Sequence, residues 1–94
     1  MAINTEETWC VYIIETQSGK LYTGITNNLE KRFQAHYRGK GAKYFRSDPP
    51  RFIVWSESGH TRSSASKREY EIKKWPRRKK LVLTLDKPTK IFLR

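Results

Sequence analysis

The sequence predicts a small α+β fold, and three observations carry that prediction. Two strand-like runs, "WCVYIIET" (9 to 16) and "KLYTGIT" (20 to 26), flank a tight turn. A third run rich in β-branched and aromatic residues, "RFIVWSE" (51 to 57), follows a basic loop. Segments with helical spacing fill 27 to 38, about 63 to 75, and 77 to 83. A chain of 94 residues suffices for one domain with one modest core. That core is expected over about 9–83, with loose ends at 1–7 and 86–94.

The first two runs form a hairpin. Gly19 suits a three-residue loop of Gln17, Ser18 and Gly19, a type I turn closed by glycine in the left-handed conformation. That loop sets the register: Thr16 faces Lys20, Tyr12 faces Gly24 and Ile14 faces Tyr22. Tyr12 and Tyr22 then become diagonal neighbours on one face of the sheet, whereas a two-residue loop would place them on opposite faces. Val11, Ile13, Leu21 and Ile25 share the other face and can pack on a helix. Cys10, the single cysteine, sits in an apolar run and reads as a small core residue. One cysteine builds neither a disulfide framework nor a zinc cluster and fits a reducing compartment.

The first helix, "NNLEKRFQAHYR", opens on Asn27 as cap with Glu30 three residues on, a capping-box pattern. Leu29, Phe33 and Tyr37 recur at i+4 spacing and are expected to face the core. Arg32 and His36 form a neighbouring stripe, one turn apart. The helix ends at Gly39. In the second helix, Ala65, Glu69 and Ile72 share one stripe, so a carboxylate lies in the middle of the inward face. Glu71 falls with Lys67 and Lys74 on the outward face. Pro76 breaks the helix and "RRKKLVL" starts a short last one.

Lys and Arg total 20 against 9 Asp and Glu, a net charge of +11. Such an excess suits a polyanion, nucleic acid above all, because each cation that meets a phosphate releases condensed counterions. The plainer reading is a solvated basic surface. No basic amphipathic helix with a clean apolar face supports a membrane partner. No run approaches the roughly 20 apolar residues of a membrane span. The opening "MAINTEET" is polar and acidic, unlike a signal peptide, so a cytoplasmic location is expected. Two basic clusters are candidate nucleic-acid contacts: Arg38, Lys40, Lys43 and Arg46 in the loop, and Lys73, Lys74, Arg77 and Arg78 around Trp75. Tyr44 and Phe45 lie within the first cluster, and an exposed aromatic there can stack on an unpaired base. Trp55 reads as core; Trp75 and Tyr44 fit either role.

Tyr12, Tyr22, Arg32, His36 and Glu69 together meet the needs of phosphodiester hydrolysis. That reaction wants a base for the attacking water, positive charge on the non-bridging oxygens, and an acid or metal for the leaving oxygen. Arg32 has the fork geometry for phosphate. Glu69 can hold one Mg²⁺, which prefers oxygen ligands and keeps several waters. A tyrosine is a poor base at its ordinary pKa of about 10 unless nearby cations depress it. Each residue also has an ordinary explanation. Glu69 can be a half-buried salt bridge, for instance to Arg32, while Arg32 and His36 can be surface residues of a basic helix. The tyrosines can simply pack on the sheet.

The same pattern resembles the GIY-YIG nuclease domain. The first motif half stands here as Cys10–Val11–Tyr12 and the second as Tyr22–Thr23–Gly24, followed by Arg32, His36 and Glu69. With "GKGAKYFR" (39 to 46) and "EYEIKKW" (69 to 75), the chain is most similar to the small stand-alone members, whose function is mostly unassigned. The resemblance implies a three-stranded antiparallel sheet flanked by helices, and DNA hydrolysis dependent on Mg²⁺ or Mn²⁺. It implies that one of Tyr12 and Tyr22 is the general base and that Arg32 steadies the phosphate. His36 would take part in proton handling and Glu69 would bind the metal. Gly24 would let the strand pass close to the site. Cys10, Val11 and Thr23 depart from the motif letters at positions that carry no chemistry. The length leaves no room for an added DNA-binding domain. The expected partner is DNA ahead of RNA: the chain either binds weakly with little sequence preference, prefers a structured, branched or flapped form, or works with a protein partner that supplies specificity. The alternatives are a nucleic-acid-binding module with the same fold and little turnover, and a basic accessory protein of an RNA-containing machine.

Overall fold

The structure, a computed structural model, describes residues 8–40 and 42–86. Of the expected loose ends at 1–7 and 86–94, residues 1–7 and 87–94 lie outside the described residues. Strands β1 (Trp9–Thr16), β2 (Leu21–Thr26) and β3 (Pro50–His60) form one antiparallel sheet in the order β2-β1-β3. Helix α1 (Leu29–Tyr37) follows β2, and a 3₁₀ turn (Lys43–Arg46) leads into β3. Helices α2 (Arg62–Lys73) and α3 (Arg77–Asp86) complete the fold.

The hairpin forms in the expected register. Gly19 adopts φ 91°, the Thr16 N–H donates to the Lys20 carbonyl at 2.9 Å, and Tyr12 pairs with Gly24 and Ile14 with Tyr22. Asp48 holds the loop from below. Its Oδ2 accepts from the hydroxyls of Thr16 (2.8 Å) and Ser18 (2.7 Å), and its Oδ1 accepts from the Ser18 N–H at 3.1 Å. Those donors, Ser18 first, keep the Asp48 carboxyl below its ordinary pKa.

The sheet carries a core on each face. Val11, Ile13, Val54 and Trp55 pack with Ala65 and Ile72 of α2, and Leu21, Ile25, Trp75 and Leu83 close the edges. Tyr12, Ile14 and Ile53 pack on the other face with Phe33 of α1 and Phe45 of the 3₁₀ turn. Alternation along β1 delivers both sets, since successive side chains point to opposite faces.

Several local expectations are corrected. Asn28, not Asn27, caps α1, and its side chain accepts from the Lys31 N–H at 3.1 Å. Thr26 is still paired with Cys10, so Asn27 is spent in the turn and the helix starts one residue later. Tyr37 is exposed while His36 is buried. At about 100° per residue, the position seven after Leu29 falls about 20° from it and the position eight after about 80° away. Leu29, Phe33 and His36 therefore form the buried stripe. Cys10 is only partly buried. Strand β3 runs on to His60 because Trp9 of β1 pairs with it there. Helix α2 starts at Arg62 behind Thr61, which forms a reciprocal capping box with Ser64, and it ends at Lys73, so Trp75 lies beyond it. Residue 86 belongs to the last turn of α3 rather than to a loose end.

Candidate active site

A cleft of about 260 Å³ opens at the β2 edge of the sheet. Its walls bring together all five residues that the sequence marks for chemistry: Tyr12, Tyr22, Arg32, His36 and Glu69. Gly24, Ile25 and Ala42 complete the lining. The tyrosines come from one face of the sheet, whereas Glu69 comes from α2, which covers the opposite face. Because β2 is an edge strand, a side chain on α2 can reach the rim that α1 also borders.

Gly24 is needed for space. A Cβ there would collide with the Tyr12 phenol, falling 2.6 Å from its Cζ. A Cβ that close would force the ring to shift, so Gly24 leaves the space that the Tyr12 phenol occupies.

Tyr12 is buried, and its Oη is 3.0 Å from His36 Nε2. The other ring nitrogen, Nδ1, accepts from the Ala42 N–H at 3.2 Å. An accepting Nδ1 carries no proton, so the neutral ring has its proton on Nε2 and donates it to Tyr12 Oη. Burial, with Arg32 adding, lowers the His36 pKa to about 4, in keeping with a neutral ring. His36 is thus a buried donor rather than a surface residue. The chain returns to it through a Schellman turn. Lys40 N–H donates to the Ala35 carbonyl, Gly39 N–H to the His36 carbonyl, and Gly39 takes φ 75°. Ala42 then presents its N–H to the edge of the ring. Residue type gives no sign of the Ala42 contact with His36, because the main-chain N–H makes it.

Nearby cations can depress a tyrosine pKa, but in the structure that of Tyr12 is raised. Burial is the largest cause and Tyr22 and Glu69 add to it, while Arg32 offsets only part. Arg32 is exposed and makes no ion pair among the described residues. It also borders an adjoining hollow with Asn27, Asn28 and Lys31. Glu69 does not pair with Arg32. Its half-buried carboxylate takes Lys73 Nζ at 3.1 Å, one turn along α2. Glu71 faces outward as expected, bound by Arg68 at 3.1 Å.

The expected nucleic-acid contacts are all exposed. Arg38, Lys40, Lys43 and Arg46 flank Ala42, which lines the cleft. Lys73 touches the cleft through Glu69, and Lys74 Nζ sits 4.1 Å from the Tyr70 ring centroid. Arg77 and Arg78, on α3, line no part of the cleft. Trp55 and Phe45 are core. Trp75 packs on the core between Arg68 and Lys79, which stand over its ring.

The family model described as the GIY-YIG catalytic domain matches residues 8–81. A UPF0213 protein of Photorhabdus laumondii is 42% identical over 83 residues, covering 88% of this chain and 80% of its own. One from Staphylococcus aureus is 44% identical over 77 residues, covering 82% and 94%. The solution NMR structure of a UPF0213 protein from Bacillus halodurans superposes with a TM-score of 0.54 at 40% identity, covering 85% of each chain. The chain belongs to the GIY-YIG catalytic-domain family, a fold typical of endonucleases, and its relatives within that family are the small UPF0213 proteins.

Proposed function

We propose that this protein is an endonuclease that hydrolyses DNA phosphodiester bonds with the help of a divalent cation, Mg²⁺ or Mn²⁺. The observation that carries this reading is the meeting of Tyr12, Arg32 and Glu69 in one cleft, with Arg32 exposed and unpaired among the described residues. An unpaired guanidinium at a cleft rim is suited to grip two phosphoryl oxygens at once. Glu69 fits a divalent ion: it is a hard oxygen donor, partly open at the cleft, and Mg²⁺ binds through one or two carboxylates while keeping its waters. Held by Glu69, such an ion would supply Lewis-acid polarisation of a phosphoryl oxygen. As a phenolate, Tyr12 Oη takes the proton of the attacking water, and the His36 Nε2–H, donated to the same oxygen, stabilises that phenolate until the proton arrives. Tyr22 borders the same space and is the other candidate base.

One observation favours a second reading. Burial keeps the Tyr12 phenol protonated at neutral pH, which suits a nucleic-acid-binding module with little turnover. A cleavage screen separates the two. Duplex, single-stranded, flapped and branched DNA are incubated with Mg²⁺ or Mn²⁺, with Glu69→Gln alongside. Metal-dependent nicking that Glu69→Gln abolishes without loss of DNA affinity supports the enzyme. No cleavage of any substrate by the wild type sinks it.

A further inference from the structure

The 3₁₀ turn Lys43–Arg46 carries two adjacent aromatic residues with opposite fates. Phe45 is 2% exposed, its ring centroid 4.6 Å from that of Tyr22 and 4.5 Å from that of His36. Tyr44 remains 40% exposed. Its ring lies 29° from parallel to Tyr22 at 5.5 Å and meets Phe45 edge to face at 78°. Tyr22 covers one of its faces, so the exposed area lies on the rest of the ring. Tyr22 in turn stands 6.5 Å from Tyr12 and 5.7 Å from His36. Tyr12, Tyr22 and Tyr44 therefore make an aromatic row running from the buried side of the cleft out to the surface.

The charges around the outer end suit a nucleic-acid strand. Lys40, Lys43 and Arg46 are all exposed within four residues of Tyr44. The ring itself is held by Tyr22 and Phe45, so a base stacking on it meets a platform already in place and little ordering entropy is lost. A turn residue that served only to cover Tyr22 could be aliphatic and needs no cationic neighbours.

We infer that Tyr44 is a stacking platform for an unpaired nucleobase of the bound DNA strand. This rests on the reading that the cleft handles DNA, and it adds a substrate class to it. A base inside a duplex has both faces covered by its neighbours and cannot offer one to Tyr44. The cleft therefore favours strands with an unpaired nucleotide next to the held phosphate, such as single strands, flaps and gaps. Every base has a π-face, so the preference is for structure rather than sequence.

The test measures binding without chemistry. Oligonucleotides carrying the fluorescent base 2-aminopurine, whose emission falls on stacking, are presented single-stranded, as a flap and in blunt duplex, in metal-free buffer with EDTA. Tyr44→Ala is expected to weaken single-strand and flap binding about tenfold and to relieve the quenching. Duplex affinity should change by under about twofold, and the salt slope should stay constant because no phosphate contact is lost. Tyr44→Trp should restore affinity and quenching. Equal losses on duplex and single strand, or no loss on either, overturn the inference. Cleavage with Mg²⁺ is read separately. A wild type that stacks an unpaired base through Tyr44 but never cuts removes the nuclease reading and leaves the platform. A wild type that cuts, with Tyr44→Ala binding unchanged, does the reverse.

Discussion

His36 stands between Tyr12 and the main chain of Ala42, donating through Nε2 to the phenol oxygen at 3.0 Å and accepting at Nδ1 from the amide at 3.2 Å. Protonation of Nδ1 would set two N–H groups against each other in a buried site. Burial, with the nearby Arg32 adding, lowers the His36 pKa to about 4, and this arrangement favours the same neutral ring. It also ties the basic loop to Tyr12, the proposed base.

The first prediction concerns pH. An unfolded histidine binds a proton near pH 6.5, whereas His36 in the fold does so only near 4. Between those values the unfolded state holds more protons, so stability is full above about pH 6.5 and falls as the pH drops toward 4. The loss is on the order of 3 kcal/mol. Urea unfolding at steps from pH 7.5 to 4.5 should show it in the wild type and a flatter profile in His36→Gln. Asp48, held low mainly by the Ser18 hydroxyl, loses its contribution only lower in pH. Histidine proton NMR provides the direct check. A His36 midpoint near 6.5 would contradict the donor role.

The second prediction concerns Gly24. Because a Cβ would press on the Tyr12 ring, Gly24→Ala must shift a phenol that is tied to His36. Overpacking of this kind costs about 1–3 kcal/mol. Misplacing a reacting group by about 1 Å can cost roughly 100-fold in rate. Chemical denaturation of Gly24→Ala in wild-type and Tyr12→Ala backgrounds isolates the clash, since the penalty should vanish once the ring is gone. A penalty that persists unchanged would mean the strand backbone, not the ring, demands glycine.

Arg32 separates stability from activity. Exposed and without an ion pair among the described residues, it should be replaceable by Ala with a stability change within about 0.5 kcal/mol. Loss of a charge-stabilising donor at the reacting phosphate typically lowers the rate roughly 10²–10³-fold. Arg32→Lys should recover only part, because an ammonium lacks the planar fork. Thermal melts and single-turnover cleavage measure both. Retained cleavage in Arg32→Ala would remove Arg32 from the reaction.

What the sequence revealed divides along local and non-local lines. The hairpin register was legible because one glycine sets the loop, and the loop alone places Tyr22 beside Tyr12. The charge pattern marked Glu69, since an acid between Ala65 and Ile72 calls for a partner. Its actual partner, Lys73, was hidden by the appeal of a longer-range pairing with Arg32. The rotation of α1 differs by one residue from the apolar pattern because His36, not Tyr37, turns inward, and its bonds to Tyr12 and Ala42 make burial of the imidazole tolerable. Contacts made through main chain, as at Ala42, leave no mark in residue type.

The last prediction concerns Thr23, the middle residue of the second motif half. Its neighbours Tyr22 and Gly24 face the cleft, so alternation along β2 turns Thr23 toward the α2 side with Leu21 and Ile25. There it is 3% exposed, and its Oγ1 has no hydrogen-bond partner among the described residues. A buried hydroxyl without a partner carries a desolvation penalty of about 1–3 kcal/mol. Valine has the same shape without the hydroxyl and is equally suited to a strand. Thr23→Val should therefore stabilise the fold by about 1 kcal/mol, seen as a higher urea midpoint at constant slope. Because the side chain points away from the cleft, cleavage and DNA affinity should be unchanged. A destabilised Thr23→Val would show that the hydroxyl is bonded after all.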